Sequence, residues 1–482
     1  MGETFVARRR RSTVPVLVGS LLVLCACLPG ALAAAASGRA LAGWAATEAP
    51  LPANANQAGD ANLASLSAVS CPAAGWCAAA GYYDDTGPAR QGLLEVLSGG
   101  VWQPTEAPLP AGGVKLQALE SVSCPASGWC EAVGEYRDAS NRMFGLIEKL
   151  GSGHWTATQA PLVGGAANPQ AFLRSVSCPA RGSCVAVGTY DKAAANDPYP
   201  ALVETLASGV WTAAEAALPS SVGFTPTPAL YSVSCAATGS CAAAGYYDDR
   251  NQQNTQVFYH GLLEELSGGS WQATEGVLTQ PGNSDPTGAS VSCPAAGACG
   301  ALIRYGGQVS AHLGLLATLS SGTWSQTDAP APADSASPSD VQLFSISCGA
   351  VGACVAVGEY ADSHGGIPGL AVRLASGSWT PKRLPLPVGA NPNADLFGVT
   401  CPSASHCVAG GDYTSGAAQL GLLERYDSGH WTAVSAPLPP SGGGSPVSLS
   451  WTSCRKASFC VAVGFSFDTA GQSEGLIELQ QT

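Results

Sequence analysis

Leu119-Glu120-Ser121-Val122-Ser123-Cys124-Pro125-Ala126-Ser127-Gly128-Trp129-Cys130-Glu131-Ala132-Val133-Gly134-Glu135-Tyr136 reads as two short apolar strands round a turn, with a cysteine on each side of it. Phe144 to Leu150 supplies a third strand. Trp155 opens a fourth after the turn Gly151-Ser152-Gly153-His154. Short apolar runs bounded by Gly, Pro and Ser are strand signals, and no segment carries a capped 3.6-residue apolar period.

The unit recurs. Cys-x5-Cys occurs eight times, as Cys71 with Cys77, Cys124 with Cys130, Cys178 with Cys184, Cys235 with Cys241, Cys293 with Cys299, Cys348 with Cys354, Cys401 with Cys407 and Cys454 with Cys460, the first cysteines lying 53 to 58 residues apart. In seven copies a tryptophan follows the first cysteine by 30 to 36 residues (Trp102, Trp155, Trp211, Trp271, Trp324, Trp379, Trp431). Four strands in a unit of about 50 residues is the blade of a β-propeller. The eighth copy stops at Gly475-Leu476-Ile477-Glu478-Leu479, without a tryptophan strand, whereas the chain begins with an orphan one at Gly43-Trp44-Ala45-Ala46-Thr47-Glu48-Ala49-Pro50. The expected fold is therefore all-β: an eight-bladed propeller of four antiparallel strands per blade, a single domain over 40–482. Trp44 to Pro50 is expected to pair antiparallel with Gly475 to Leu479, which removes two free sheet edges.

Only 11% of the 482 residues are charged and the formal charge is −13, so a basic nucleic-acid footprint is absent. Residues 1–33 read as a signal peptide: Arg8 to Arg11, an apolar run from Val14 to Leu28, and the small-x-small site Ala31-Leu32-Ala33. The run is too short for a comfortable membrane span. Cleavage after Ala33 removes four arginines and Glu3 and takes the charge from −13 to −16. Lipidation at Cys27 is the rival reading, and Arg10-Arg11-Ser12-Thr13-Val14 is a poor match to a twin-arginine signal. The mature chain is expected outside the cell or at its surface, as a monomer with no transmembrane segment, no cofactor and no metal. All sixteen cysteines outside the signal fall in the eight pairs, which in an exported chain reads as local disulfides. Facing positions across the a–b hairpin are expected about 4.5–5.5 Å apart at Cα, which suits such a bridge. Zinc would want tighter spacing and recurring histidines.

The Ser-Gly-x-Trp turns, as in Ser321-Gly322-Thr323-Trp324 and Ser428-Gly429-His430-Trp431, resemble those of secreted sialidase-like propellers of the Asp-box type. The box's Asp is missing from nearly every copy, and the cysteine pair is foreign to that motif. The chain also resembles Cys-x5-Cys repeat proteins encoded in high-GC bacterial genomes. These likenesses imply a fold and no activity.

Several polar positions repeat. Glu95, Glu148, Glu204, Glu264, Glu424 and Glu478 share one place in the third strand, where copies 5 and 6 have Ala317 and Val372; they are expected to bond to a neighbouring blade. A glycine four residues after the second cysteine (Gly81, Gly134, Gly188, Gly245, Gly358, Gly411, Gly464) is expected to allow close strand packing. At or beyond the end of the second strand come Asp84, Asp85, Asp138, Asp191, Asp248, Asp249, Asp362 and Asp468, with Tyr83, Tyr136, Tyr190, Tyr247, Tyr305, Tyr360 and Tyr413. Either these are solvated turn residues or they form a shallow aromatic and acidic surface for sugar, peptide or a cation.

Catalytic constellations are weak. The six histidines are scattered, and the twelve arginines of the mature chain show no cluster near the axis-lining strands of the kind a sialidase needs. The expected task is noncovalent binding of a carbohydrate or protein. A propeller glycan hydrolase or lyase and a purely structural envelope scaffold are the alternatives. Copy 5 departs from the repeat at Ile303, Gly307 and Ala317, and copy 4 carries the long amide-rich loop Arg250 to His260. The candidate ligand site is therefore placed between blades 4 and 5, at Tyr247, Asp249, Phe258, Tyr259, His260, Arg304 and Tyr305.

Overall fold

The computed structural model describes residues 43–56, 64–87, 89–164, 170–191, 199–250, 257–278, 284–307, 313–337 and 339–480. The expected signal at 1–33 and the loop tip at 251–256 lie outside them. The described residues form eight sheets of four antiparallel strands and no helix. In blade 2, strand a is Gly113–Ala126, b Trp129–Asp138, c Met143–Gly151 and d His154–Gln159. Blade 8 is Gly442–Lys456, Phe459–Asp468 and Ser473–Gln480, completed by Trp44–Glu48 as its fourth strand. The register runs from Trp44 opposite Gln480 to Glu48 opposite Leu476, and the Ala49 amide donates to Gly475 O at 2.8 Å. The ring therefore closes as the two partial copies require.

Each Cys-x5-Cys forms its own disulfide across the a–b turn: Cys71 with Cys77, Cys124 with Cys130, Cys178 with Cys184, Cys235 with Cys241, Cys293 with Cys299, Cys348 with Cys354, Cys401 with Cys407 and Cys454 with Cys460. The Cα atoms lie 3.9 to 4.2 Å apart, which corrects the expected 4.5–5.5 Å. The bridge sits at the narrow end of the hairpin, beside a second bulge such as that between Cys454 and Lys456, and the two strands close in there. The strand-b partner of every bridge is buried in its blade: Cys77, Cys130, Cys184, Cys241, Cys299, Cys354, Cys407 and Cys460. These cysteines are thus packing groups of the core. The c–d turns carry positive φ at successive residues, as at Ser321 (51°) and Gly322 (76°). That is the two-residue hairpin whose twist matches the strands, and it is why Ser-Gly recurs there.

The repeated glycine has a specific cause. A Cβ on Gly188 would overlap the Phe172 carbonyl oxygen of strand a, and the same overlap recurs at Gly81, Gly134, Gly245, Gly358, Gly411 and Gly464. Beside each glycine strand a carries a β-bulge, in blade 3 between Leu173 and Ser175. The bulge presses the backbone of strand a onto strand b, where a side chain has no room. Blade 5 has Ile303 at this place, and its bulge is moved to between Pro286 and Gly288.

Adjacent blades pack through apolar side chains: Ala78, Ala80 and Leu94 of blade 1 form one core with Leu119, Leu146 and Tyr136 of blade 2. Near the axis the seams share a polar joint. The Cys178 amide donates to Ser123 Oγ at 2.9 Å, and Cys124, Cys235, Cys293, Cys348 and Cys401 do the same to Ser70, Ser177, Ser234, Ser292 and Ser347. The seam between blades 8 and 1 repeats it, Cys71 to Ser453 at 3.0 Å. Between blades 7 and 8, Thr400 Oγ1 donates to Thr452 O at 2.7 Å.

The strand-c glutamates depart from expectation. All six are fully buried, yet neither oxygen of Glu95, Glu148, Glu204, Glu424 or Glu478 meets a protein hydrogen-bond partner, and Glu264 has only the Ala217 amide. They face small residues: Glu204 sits opposite Ala186 and Ala213, and Glu424 opposite Ala409 and Ala433. Burial pushes the carboxyls up, to about 9 for Glu95, Glu148, Glu424 and Glu478 and to about 8 for Glu204 and Glu264. The charge of Glu131 adds to the effect at Glu148, and the Ala217 amide opposes it at Glu264. Burial without a partner favours the protonated form of a carboxyl, and these groups, Glu264 apart, are not the inter-blade bonds expected of them. In blade 5 the crossover from blade 4 is met from strand d instead. Gln326 Nε2 donates to Glu275 O and its Oε1 accepts from the Val277 amide, both at 2.9 Å, which leaves Ala317 sufficient in strand c.

Candidate functional site

The a-strand bulge does more than crowd the glycine. It turns one residue, four before the first cysteine, out of the strand's alternation. In seven blades the register slips across that residue: Ser67, Glu120, Arg174, Tyr231, Phe344, Phe397 and Ser450. The flanking Ser-Val-Ser-Cys repeats almost unchanged, but this place holds a different residue type from blade to blade. Glu120, Arg174, Tyr231 and Phe344 line the axial cavity, which has a volume of about 330 Å³ and takes wall residues from all eight a strands, among them Ala68, Ser121, Ser175, Ser232, Ser290, Ser345, Thr400 and Trp451. Bulges re-aim side chains at functional sites, and here they are arrayed round one axis.

Two further cavities share Arg174 and Tyr231 with it. One of about 350 Å³ forms the mouth, walled by Glu120, Thr287, Arg304 and Phe344; the other, of about 220 Å³, runs between blades 3 and 4 along Thr189, Tyr199, Thr227 and Tyr246. Tyr199 and Thr227 belong to the b–c loop and the incoming a strand, which places this mouth on the face of the long loops.

Within the mouth, Arg174 pairs with Glu120 at 3.4 Å and is otherwise exposed. Glu135 is buried beside them, and burial, with Glu120 next, pushes its carboxyl to about 7. The Tyr231 and Tyr246 rings stack, their centroids 5.8 Å apart. Arg304 donates through Nε to Thr287 Oγ1 (2.9 Å) and through a terminal nitrogen to Thr287 O (3.1 Å). Its guanidinium lies 4.8 Å from the centre of the Phe344 ring, which tilts against Phe397 at 5.4 Å. Burial lowers the Arg304 pKa. On the next blades Glu359 hydrogen-bonds Asp395, and burial, then Asp395, lifts Glu359 to about 9. Asp412 is also raised, by burial first, against hydrogen bonds from Ser448 and Gln419.

The seven residues expected between blades 4 and 5 divide. Tyr247 and Tyr305 are buried core residues. The Tyr247 ring stacks on His260 at 4.7 Å, and Tyr305 donates to Gly276 O at 3.2 Å, so neither presents a ring face to a ligand. Asp249 is buried and accepts the Gly223 amide at 2.6 Å. His260 is tied between two carboxylates, Glu275 at 2.8 Å and Asp249 at 3.5 Å. Phe258 and Tyr259 pair with Asp249 and Asp248 in the projecting b–c hairpin, where Tyr259 is partly exposed. Arg304 alone of the seven reaches the axial mouth.

The other repeated groups also resolve. All seven tyrosines are buried, and several anchor their hydroxyls across the blade: Tyr83 to Glu106 (3.0 Å), Tyr136 to Gln159 (3.2 Å), Tyr190 to Glu215 (2.7 Å) and Tyr360 to Asp334 (2.8 Å). They are core residues with a polar tip, not a binding surface. Asp85, Asp138, Asp362 and Asp468 each accept the amides two and four residues on, at 2.8 to 3.0 Å, and so fold the b–c turns. No cluster of arginines is expected near the a strands; two arginines reach the mouth, Arg174 on an a strand and Arg304 on a b strand. Sequence reasoning misses Glu120, Arg174, Tyr231, Tyr246 and Phe344. For the a-strand residues among them the signal is the one position in the Ser-Val-Ser-Cys strand that refuses to repeat. Among the described residues no group of three or more His, Cys, Asp or Glu side chains is placed to hold a metal ion.

No protein-family model matches the sequence, and no curated protein does. Solved structures match the backbone. An α-L-arabinanase from Penicillium chrysogenum in complex with arabinobiose is 12% identical, over 75% of this chain and 93% of its own, with a TM-score of 0.37. An ulvan lyase is 8% identical over 86% and 94%, with a TM-score of 0.45. A Trypanosoma rangeli sialidase is 7% identical over 72% and 56%, with a TM-score of 0.30. These describe likeness of chain path, and the chemistry of the axial mouth is read from its own residues.

Proposed function

We propose that this protein binds an extended saccharide, noncovalently, at the axial mouth on the long-loop face. The observation that carries the reading is the bulge: a scaffold that repeats its seams, turns and bridges turns a changing set of side chains into one cavity. Function sits where a rigid scaffold presents variable groups. Tyr231, Tyr246 and Phe344 offer aromatic surface, and Glu120, Arg174 and Arg304 offer orientation. The blade 4–5 sector enters through Arg304, with Phe258 and Tyr259 on the hairpin outside it. The eight disulfides suit an oxidising compartment, so we further propose that residues 1–33 direct export.

The second reading is a glycan hydrolase or lyase at the same mouth. It is favoured by the carboxyls of Glu359, beside Asp395, and Glu135, beside Glu120, which burial first and the neighbouring carboxyl next push up to about 9 and about 7, since a carboxyl that holds a proton near neutral pH can act as a general acid. A glycan array with wild type and Tyr231→Ala tests the binding reading, with loss of the array signal in the variant as the expected result. Release of reducing or unsaturated ends from a bound glycan, abolished by Glu359→Gln, would replace it with the enzymatic one.

A further inference from the structure

Resting on the binding reading, the chemistry of the mouth specifies the ligand further. Arg304 is half-buried, and both of its hydrogen bonds go to neutral acceptors of Thr287. Among the described residues no carboxylate lies within ion-pair distance of it. Its nearest acidic neighbour, Glu359, gives its hydrogen bond to Asp395. A buried cation is ordinarily paired, and one without a counter-charge is destabilised until an anion arrives. Across the same cavity Arg174 spends one terminal nitrogen on Glu120 at a long 3.4 Å and keeps the rest of its fork exposed. Tyr231 and Phe344 stand in the wall with them.

We infer that the mouth recognises an acidic oligosaccharide, whose ring carboxylate or sulfate lies between Arg304 and Arg174 while its sugar faces pack on Tyr231 and Phe344. The guanidinium fork matches a planar or tetrahedral oxyanion with two parallel hydrogen bonds. A saccharide fits better than an acidic peptide because the wall offers aromatic rings, whereas edge amides of the axial strands are already spent on serine hydroxyls of the neighbouring blade, as those of Val176 and Cys178 are on Ser121 and Ser123. The chain as a whole is negative, at −13, so its long-range field repels polyanions. Affinity for an acidic ligand would therefore report the local pair of arginines and not a general attraction.

The test is calorimetric titration of the full chain with hexagalacturonate, its neutral methyl ester, a sulfated dextran and hexaglutamate. Hexagalacturonate or the sulfated dextran should bind, which of the two distinguishing carboxylate from sulfate, and the methyl ester should bind about tenfold to a hundredfold more weakly than the free acid. Arg304→Gln should erase the difference between acid and ester, and Arg174→Gln, at an exposed site, should reduce it. Tyr231→Ala should weaken acid and ester alike. Equal binding of acid and ester, both weakened by Tyr231→Ala, would overturn the acidic ligand and leave the axial site standing. Binding untouched by Tyr231→Ala, or no binding of any saccharide, would overturn both. Hexaglutamate bound in preference to the sugars would overturn the saccharide class.

Discussion

Blade 3 and blade 5 reach the same sheet by different routes. In blade 3 a glycine, Gly188, lies under the bulge that aims Arg174 at the axis. In blade 5 the bulge sits at Thr287, Ile303 fills the glycine's place, and the residue aimed at the mouth comes from strand b, Arg304. The seams differ in step. Blade 3 buries Glu204 in strand c, while blade 5 has Ala317 there and bonds its neighbour through Gln326 of strand d. What reads in sequence as independent erosion of a repeat is thus two linked exchanges. One couples bulge position to the strand-b side chain, and the other pairs loss of the buried strand-c carboxyl with a strand-d bond to the neighbouring blade.

The widest consequence of the contrast is a pH dependence. The six strand-c glutamates hold their protons in the folded ring up to about 8 to 9, whereas the unfolded chain releases them near the ordinary 4.5. Between those limits the folded state binds more protons, so stability is greatest below about 4.5 to 5 and falls as pH rises. Each glutamate lowers stability as pH rises over that interval. Urea titrations at pH 5 and pH 8 should show the loss. Glu204→Gln should flatten the slope by about one glutamate's share, while Ala317→Gln in blade 5 should leave it unchanged. A stability that rises from pH 5 to 8 would show these carboxyls to be paired.

Exchange of the glycine comes next. Gly188→Ile copies blade 5 into blade 3 without moving the bulge, and overlap with the Phe172 carbonyl should cost about 3 kcal/mol in chemical unfolding. A variant as stable as wild type would uncouple bulge from glycine. Gln326→Ala should cost about 1 to 3 kcal/mol, because it strips partners from the Val277 amide and the Glu275 carbonyl. An equal loss from alanine at the strand-d site of blade 3 is excluded, since Ala213 is already there. The smallest effect is expected at Tyr259→Ala on the exposed hairpin: within about 0.5 kcal/mol in stability, and unchanged saccharide binding. Lost binding in that variant would return the site to the outer cleft between blades 4 and 5.

The fold was legible because its signals are local or covalent. Eight cysteine pairs count the blades, the tryptophans mark strand d, and the orphan strand at Trp44 announces closure. The site was less legible for a physical reason. A tyrosine after strand b looks like surface until strand d brings Glu106 or Glu215 to its hydroxyl and buries the ring. The serine before each cysteine gains meaning only from an amide some 54 residues away, as Ser70 does from Cys124. Arg174 and Arg304 lie on different strands of different blades, far apart in the sequence, and a ring is needed to make them neighbours. The replacements in copy 5 flag an unusual sector, and Arg304 from that sector lines the axial mouth, but the direction in which its side chain points depends on a bulge that no single residue announces.

The serine joints carry a consequence for assembly. At seven of the eight seams the joint passes from a cysteine amide to the preceding blade's hydroxyl in one rotational sense, and the seam made by the two chain ends, Cys71 to Ser453, is among them, while blades 7 and 8 join through Thr400 and Thr452. A ring in which the closing seam is built like six others has no privileged first blade among those seven seams. Chains cut at other d–a crossovers and rejoined end to end should fold to the same molecule, and a blade inserted or lost in duplication meets the same handshake on either side.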